Sequence, residues 1–238
     1  MIGYFYKDLL LSKFAILTQI IFLGIISLTS ILFATLPQGS SAPLGNLAPL
    51  VMLEFYAFLL TNAINQHLFQ ADERRTWQYF ALSTPQKEQG QIGSKYVLVL
   101  LVNLVTLLWL LQLDCVFGHM TEKPGLSTSS ALLLFFCLML VMDAIEMPFV
   151  FRFGSTYGTK CKGFLLLGIF GVVAIYLLYG DISFLRTGDS LSAFLEKLQG
   201  GTMHRFLDLL PYIAAVIYFL SYCLSLKIMK KGIEAYEE

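Results

Sequence analysis

Four carboxylate residues lie within or at the ends of long apolar runs, where ionised groups are unusual: Glu54, Asp114, Asp143 and Glu146. A charge at membrane depth is costly, so such residues usually face the protein interior, water or a partner. Asp143 and Glu146 are three residues apart, which places them on one face of a helix. They could form a polar wall of a translocation path. The alternative, which we favour, is that they pair with Arg152 or a neighbouring lysine.

The apolar run that contains Glu54 carries two further polar side chains, Asn62 and Asn65. Glu54 lies eight residues before Asn62, so the three residues fall close to one helical face. Glu54 has no obvious cationic partner in the apolar runs, and it could line a cavity or be neutralised there by a proton. The alternative for the two asparagines is hydrogen bonding between helices. The candidate pathway residues are therefore Glu54, Asn62, Asn65, Asp143 and Glu146.

Several other kinds of chemistry lack their sequence signals. The string "GSTYGTK" at Gly154–Lys160 has three residues between its glycines and no Ser or Thr after the lysine, so it is not a phosphate-binding loop. No His-Glu-x-x-His sequence and no Gly-x-Ser-x-Gly sequence occurs. The four cysteines are scattered without metal or redox spacing. We therefore expect no catalytic residues, no metal site and no cofactor in this chain.

The elements that position these residues are long apolar helices. Hydrophobic residues make up 57% of the 238 residues and charged residues only 13%, against about 25% charged in a soluble domain. A helical membrane span needs about 20 mostly apolar residues. Six runs qualify, and the first is too long for the apolar core of a signal peptide. The sequence predicts a single all-α, polytopic membrane domain over residues 1–238 with spans at Phe14–Leu36, Asn46–Phe69, Tyr96–Phe117, Thr128–Phe151, Gly163–Gly180 and Phe206–Leu226.

The distribution of Lys and Arg predicts the orientation. If both termini are cytoplasmic, twelve of the sixteen Lys and Arg residues lie on the inner side. Residues 1–13 are predicted to form an elbow helix on the membrane surface; the alternative is an extension of the first span. Outside, Pro37–Gly45 is a short loop, and residues 181–205 are a longer extracellular loop. That loop contains either a short amphipathic helix or no helix at all.

The longest polar connection, residues 70–95, falls on the cytoplasmic side. It contains "ADERRTWQYFALSTPQKEQGQIGSK" at Ala71–Lys95. The second span is predicted to continue as a helix until Pro85 ends it, and a short second helix to follow before Lys95 begins the third span. Such a projection would offer a docking surface to a soluble partner. The alternative is a solvated connector.

Three stretches together resemble the permeases of ABC type-2 transporters, in particular small six-span bacterial permeases that work beside a separate ATPase. The start "YFYKDLLLSKF" resembles the N-terminal elbow of the family. The stretch "DERRTWQYFALSTPQKEQGQIGSKYV" is similar to the family's central cytoplasmic connection, and "MPFVFRFGSTYGTKCKG" from Met147 resembles the close of its fourth span. The acidic residue that usually follows the glycine of this last motif is missing here. Within the family, the chain looks most like permeases that export amphipathic peptides or confer resistance to peptide antibiotics, such as phenol-soluble-modulin exporter permeases.

The resemblance implies a permease that is not itself an enzyme. A second copy would complete a two-plus-two complex with two cytoplasmic ATPase subunits, which would hold ATP and Mg. The complex would lie in a bacterial cell membrane and export an amphipathic peptide, a peptide antibiotic or a toxin. The residues implied to couple the permease to the ATPase belong to the 70–95 connection, namely Asp72, Glu73, Arg74, Arg75, Pro85, Gln86, Lys87 and Glu88.

Two other transporter classes remain as alternatives. The substrate-binding membrane component of a vitamin or metal importer has a similar size, although shorter cytoplasmic loops are expected there. A proton-coupled secondary transporter would explain Glu54, Asp143 and Glu146, and it would transport without ATP.

Overall fold

The chain folds into helices over every part that the structure describes. The computed structural model describes residues 2–35, 47–74, 87–121, 129–179 and 201–237, and no strand occurs among them. The helices, in chain order, are α1 (Ile2–Leu11), α2 (Lys13–Thr35), α3 (Leu47–Arg74), α4 (Lys87–Thr121), α5 (Ser129–Phe153), α6 (Ser155–Tyr179) and α7 (Gly201–Glu237). The prediction of an all-helical chain is therefore confirmed for the described residues.

Four of the helices are long and apolar enough to cross a membrane, within the residues described. Their candidate spans are Lys13–Leu32, Gln89–Val116, Ser129–Phe153 and Asp208–Lys231. These correspond to the first, third, fourth and sixth predicted spans. Continuous apolar runs form helices in lipid because only intrahelical bonds can satisfy their backbone groups there. The second and fifth predicted spans overlap α3 and α6, and the total of six spans stays a prediction.

Helix α1 is a separate element from α2, with Ser12 between them. The Ser12 hydroxyl donates to the carbonyl of Asp8 at 2.8 Å, a side-chain bond that tends to bend a helix. The Asp8 carboxylate in turn accepts a 2.6 Å hydrogen bond from the hydroxyl of Ser94 on α4. Helix α1 is thus joined to the first turns of α4 by a buried polar contact. Its placement at the membrane surface stays a prediction.

The start of α4 differs from the sequence prediction. A short helix before Lys95, separate from the third span, was expected, but residues 87–121 form one continuous helix. The reason is burial, since the exposed fraction of Ile92, Ser94 and Lys95 is 2% or less. The Lys95 ammonium lies 4.7 Å from the centre of the Phe69 ring of α3. These polar residues pack inside the protein and belong to the same helix as the third span, although hydropathy alone would place them in the connection before that span.

Helix α5 is the centre of the bundle. It packs against α3, α4, α6 and α7, and its span is the most buried of the four candidates. Helix α7 also packs on α4 through a hydroxyl cluster, in which the Tyr96 hydroxyl of α4 lies 2.8 Å from the hydroxyls of Ser221 and Ser225, and the Tyr218 hydroxyl donates to the carbonyl of Tyr96. In lipid the hydrophobic effect does not drive helices together, so hydrogen bonds of this kind help to hold them in contact.

The remaining predicted boundaries fall partly outside the described residues. The loop Pro37–Gly45 and most of the 181–205 loop, with its possible amphipathic helix, lie there. Residues 201–205 belong to the first turns of α7. In the 70–95 connection, residues 70–74 extend α3, residues 87–95 begin α4, and residues 75–86 lie outside the described part of the chain.

Candidate functional site

A tight corner between α5 and α6 sets up the candidate site. Helix α5 ends at Phe153, and Gly154 follows with φ of 91°, the left-handed conformation in which glycine commonly ends a helix. Four residues later, Gly158 lies so close to Val150 that a Cβ atom there would overlap the valine Cγ2. The two glycines therefore let α6 fold back along α5 at close range.

This corner brings Lys162 opposite the two carboxylates of α5. Glu146 lies eight residues before Gly154 and Lys162 eight residues after it, so two antiparallel helices with Gly154 at the turn place these side chains at the same level. Lys162 Nζ donates to Glu146 Oε2 at 2.7 Å and to Asp143 Oδ1 at 2.6 Å. The three residues form a buried ion triad, since the exposed fraction of each side chain is 5% or less.

The ion triad answers the question raised by the spacing of Asp143 and Glu146. Of the two cationic partners considered, a neighbouring lysine is the one present. Arg152 is exposed and lies 5.0 Å from the ring centre of Phe153. The structure therefore shows both carboxylates bound to a lysine, and their part in a translocation path stays a prediction. Two carboxylates share one ammonium. The low dielectric of the buried site strengthens each of these contacts, and it also makes the loss of one partner costly, because a buried charge would then be unpaired.

A chain of hydrogen bonds extends from the ion triad across the bundle. Asn103 Nδ2 of α4 donates to the second oxygen of Asp143 at 3.1 Å. On α3, the Thr61 hydroxyl lies 3.2 Å from Asn103 Oδ1. Lys162, Asp143, Asn103 and Thr61 thus connect four successive helices, α6, α5, α4 and α3, through one buried network. We call these residues, together with Glu146, the polar network.

The buried face of α3 carries two of the predicted pathway residues. Glu54 and Asn65 are each 2% exposed, and Thr61 between them is fully buried. Their spacing of seven and four residues places the three on one helix face. Asn62 belongs to α3, but its side chain lies outside the described part of the structure. The structure therefore places Glu54 and Asn65 on the same face of α3 as Thr61, which belongs to the polar network.

A second polar contact lies between α2, α3 and α4. Gln19 Nε2 of α2 donates to the carbonyl of Ala57 at 3.1 Å and to the hydroxyl of Thr106 at 3.4 Å. Thr106 follows Asn103 by three residues, so both project from one face of α4. Asp114, the fourth carboxylate in the apolar runs, is half-buried near the other end of α4.

The predicted coupling residues lie at the ends of two packed helices. Asp72, Glu73 and Arg74 form the last turn of α3, and Lys87 and Glu88 the first turn of α4. Arg75, Pro85 and Gln86 lie outside the described residues. Helices α3 and α4 pack against each other, and α1 packs on both, so movement of the connection would act directly on the helices that carry Thr61 and Asn103.

Sequence reasoning missed Lys162, Asn103 and Thr61 as site residues. For Lys162, the signal was the equal spacing of Glu146 and Lys162 about Gly154. For Asn103, it was a lone amide within "VLVLLVNLVTLLWLL", because a polar group inside an apolar span needs a partner in the bundle. Thr61 carried no signal of its own.

Comparison with known proteins decides the family. A model of the family described as "ABC-2 family transporter protein" matches residues 5–230. The chain belongs to the ABC-2 transporter family. It is therefore a multi-pass membrane component of an ABC transporter, and membership implies partnership with an ATP-binding subunit. No curated protein and no solved structure matches the chain.

The match spans nearly all of the described helices, from α1 to most of α7. It includes the corner at Gly154, the polar network and both ends of the 70–95 connection. The family assignment agrees with the resemblance drawn from the three sequence stretches. Proteins of this family are transporter components and typically lack catalysis of their own.

Proposed function

We propose that this chain is the permease subunit of an ABC exporter that moves an amphipathic peptide, a peptide antibiotic or a toxin out of a bacterial cell. A separate cytoplasmic ATPase subunit would supply the energy by binding ATP with Mg and hydrolysing it. The family match over residues 5–230 carries the permease part of this proposal. The export direction and the substrate class rest on the resemblance of the three sequence stretches.

The membrane arrangement in the proposal has six spans and cytoplasmic termini. Helices α3 and α6 would be the second and fifth spans, beside the four candidates that meet the length and hydropathy criteria. The excess of Lys and Arg on one side supports this orientation, which puts the 70–95 connection and the Gly154 corner on the inner side. Helix α1 would be the elbow that lies along the inner membrane surface.

The proposed coupling surface is the 70–95 connection, with Asp72, Glu73, Arg74, Arg75, Pro85, Gln86, Lys87 and Glu88 as its contact residues. Nucleotide can change the permease only through contacts that differ between two states of the complex. The packing of α1 on both α3 and α4 supports the idea that these helices would move with the connection. The bond between Asp8 and Ser94 would make α1 follow α4.

The proposed pathway residues are Glu54, Asn62, Asn65, Asp143 and Glu146. In the described conformation Asp143 and Glu146 are bound to Lys162, so a pathway role for them requires that the ion triad opens during the transport cycle. The alternative is that the triad holds α5 and α6 together permanently. Blocking it with a covalent link between α5 and α6 would stop export in the first case and leave export unchanged in the second.

Co-purification tests the proposed complex. The chain is expressed with candidate ATP-binding subunits from the same cell, and the mass of any purified complex is measured together with ATP hydrolysis. We expect two copies of each subunit, and hydrolysis that increases when candidate peptides are added to vesicles containing the complex. Recovery of the chain alone, with hydrolysis by the ATPase unchanged by its presence, would contradict the proposal. Transport driven by a proton gradient without ATP would favour the secondary-transporter alternative.

A further inference from the structure

A cavity of about 320 Å³ lies where α5, α6 and α7 meet. Its floor is formed by α5, with Cys137 and Val141 among the side chains that line it, and its walls by Leu165 of α6 and Leu210 of α7. Helices α6 and α7 both pack on α5 but make no extensive contact with each other over the described residues. The cavity is therefore a cleft between two neighbouring helices. We call it the α6–α7 cleft.

The lining of the α6–α7 cleft is apolar throughout. Apart from the Cys137 thiol and the Met142 thioether, every side chain around it is a hydrocarbon. A water molecule needs two to four polar partners to remain in such a space. An engineered cavity of about 150 Å³ with a similar lining stays free of water and binds benzene, which has six carbon atoms. On that scale the cleft has room for about twelve carbon atoms.

The cleft opens onto the lipid-facing surface. Ile213 both lines it and leaves 40% of its own surface exposed, and Phe164, which precedes the lining residue Leu165, is 75% exposed. Ile213 belongs to a helix that is a candidate membrane span. An exposed apolar rim on such a helix faces the hydrocarbon of the bilayer, so the interior of the cleft is continuous with the lipid phase.

One end of the cleft adjoins the ion triad. Leu165 lies three residues after Lys162 on the same face of α6, and Met142 directly precedes Asp143 on α5. Because Lys162, Asp143 and Glu146 bind one another, they offer no open polar site to a ligand in the cleft. The chemistry that fits is a chain of carbon atoms with no polar group along its length.

We propose that the α6–α7 cleft binds one acyl chain of a membrane phospholipid. The chain enters past Ile213, lies against α5 beside Cys137, and ends short of the ion triad. Its glycerol and head group stay at the membrane surface. Three observations together support this occupant over water or a polar substrate: the apolar lining, the opening to lipid, and a volume that matches a run of methylene groups.

A photoreactive lipid tests this proposal directly. The purified full-length chain is reconstituted in phosphatidylcholine vesicles that contain a phospholipid with a diazirine on its acyl chain. After irradiation, lipid adducts are mapped by mass spectrometry. We expect adducts on residues 134–142 of α5, a stretch that helices surround on several sides, in addition to adducts on the exposed face of α7.

Two alanines side by side on α7 provide the matched variants. Ala214 is buried and lines the cleft, whereas Ala215 is exposed. Ala214→Phe adds a ring that takes up about half of the space and should therefore lower the adducts on residues 134–142 by about twofold or more. Ala215→Phe should leave them unchanged. If Ala214→Phe does not fold, Cys137→Met is a milder change that should also lower the adducts, with Cys223→Met on the exposed surface as its control.

Two results would overturn the proposal. The first is labelling confined to exposed positions, with no adducts on residues 134–142, as expected if a second copy or another segment of the chain filled the cleft. The second is labelling of residues 134–142 that neither Ala214→Phe nor Cys137→Met reduces.

Discussion

Replacing Lys162 by methionine tests whether the ion triad holds α5 and α6 together. Methionine keeps most of the length and apolar volume of the side chain but removes its charge. In the structure, Lys162 makes two hydrogen bonds to charged groups, at 2.6 and 2.7 Å. Hydrogen bonds to charged groups contribute about 1.5–3 kcal/mol each, and removing one partner of a buried ion pair typically costs about 3–5 kcal/mol. We therefore expect Lys162→Met to lower the free energy of unfolding by about 3–5 kcal/mol.

The assay is thermal unfolding of the purified chain in detergent. For a protein of this size, the expected loss corresponds to a decrease in Tm of roughly 6–20 °C. Lys160→Met is the control, because Lys160 is exposed on the same helix and should have a small effect. The combined change of Lys162→Met, Asp143→Asn and Glu146→Gln should recover much of the loss, since it leaves no unpaired buried charge. Equal Tm values for Lys162→Met and Lys160→Met would refute the reasoning.

Two further predictions concern the close packing of α6 on α5 and the bond that joins α1 to α4. Gly158→Ala should lower the free energy of unfolding by about 1–3 kcal/mol, because the added Cβ would overlap a side chain of α5. Gly163→Ala is the control, since the space around Gly163 is open and the change should have little effect. Equal unfolding temperatures for the two variants would contradict this prediction. Ser94→Ala should remove the 2.6 Å bond to Asp8 and increase hydrogen exchange in α1 by local opening, with Thr18→Ala as an exposed control. Unchanged exchange in α1 would show that this bond does not hold it.

The helices could be predicted from the sequence better than their ends. Continuous apolar runs identified four segments that the structure describes as helices able to cross a membrane, because hydropathy reports which stretches avoid water. The start of α4 was placed too late because Lys95 and Ser94 look like residues of a polar connection. Their burial depends on Phe69 of α3 and Asp8 of α1. Such partners are far away in the sequence, and no local pattern reveals them.

The site was predicted in part. Asp143 and Glu146 were recognised because two carboxylates in an apolar run need partners, and a neighbouring lysine was one of the partners considered. Choosing Lys162 among the lysines required the geometry of the corner at Gly154, which only the folded helices provide. Asn103 and Thr61 were missed because single amides and hydroxyls are common in membrane helices. Their importance comes from meeting each other and Asp143 in the bundle.

Site-specific cross-linking of the 70–95 connection tests the central proposal most directly, namely that a separate ATPase drives this permease through its cytoplasmic side. A photoreactive amino acid is placed at Glu88, and at Ser41 in a predicted outer loop as the control, in cells that also produce the ATPase subunit recovered with the chain. The proposal predicts a covalent adduct between the chain and the ATPase from position 88, with a yield that changes when ATP is bound, and no adduct from position 41. An adduct from position 41, or no adduct from position 88, would contradict it.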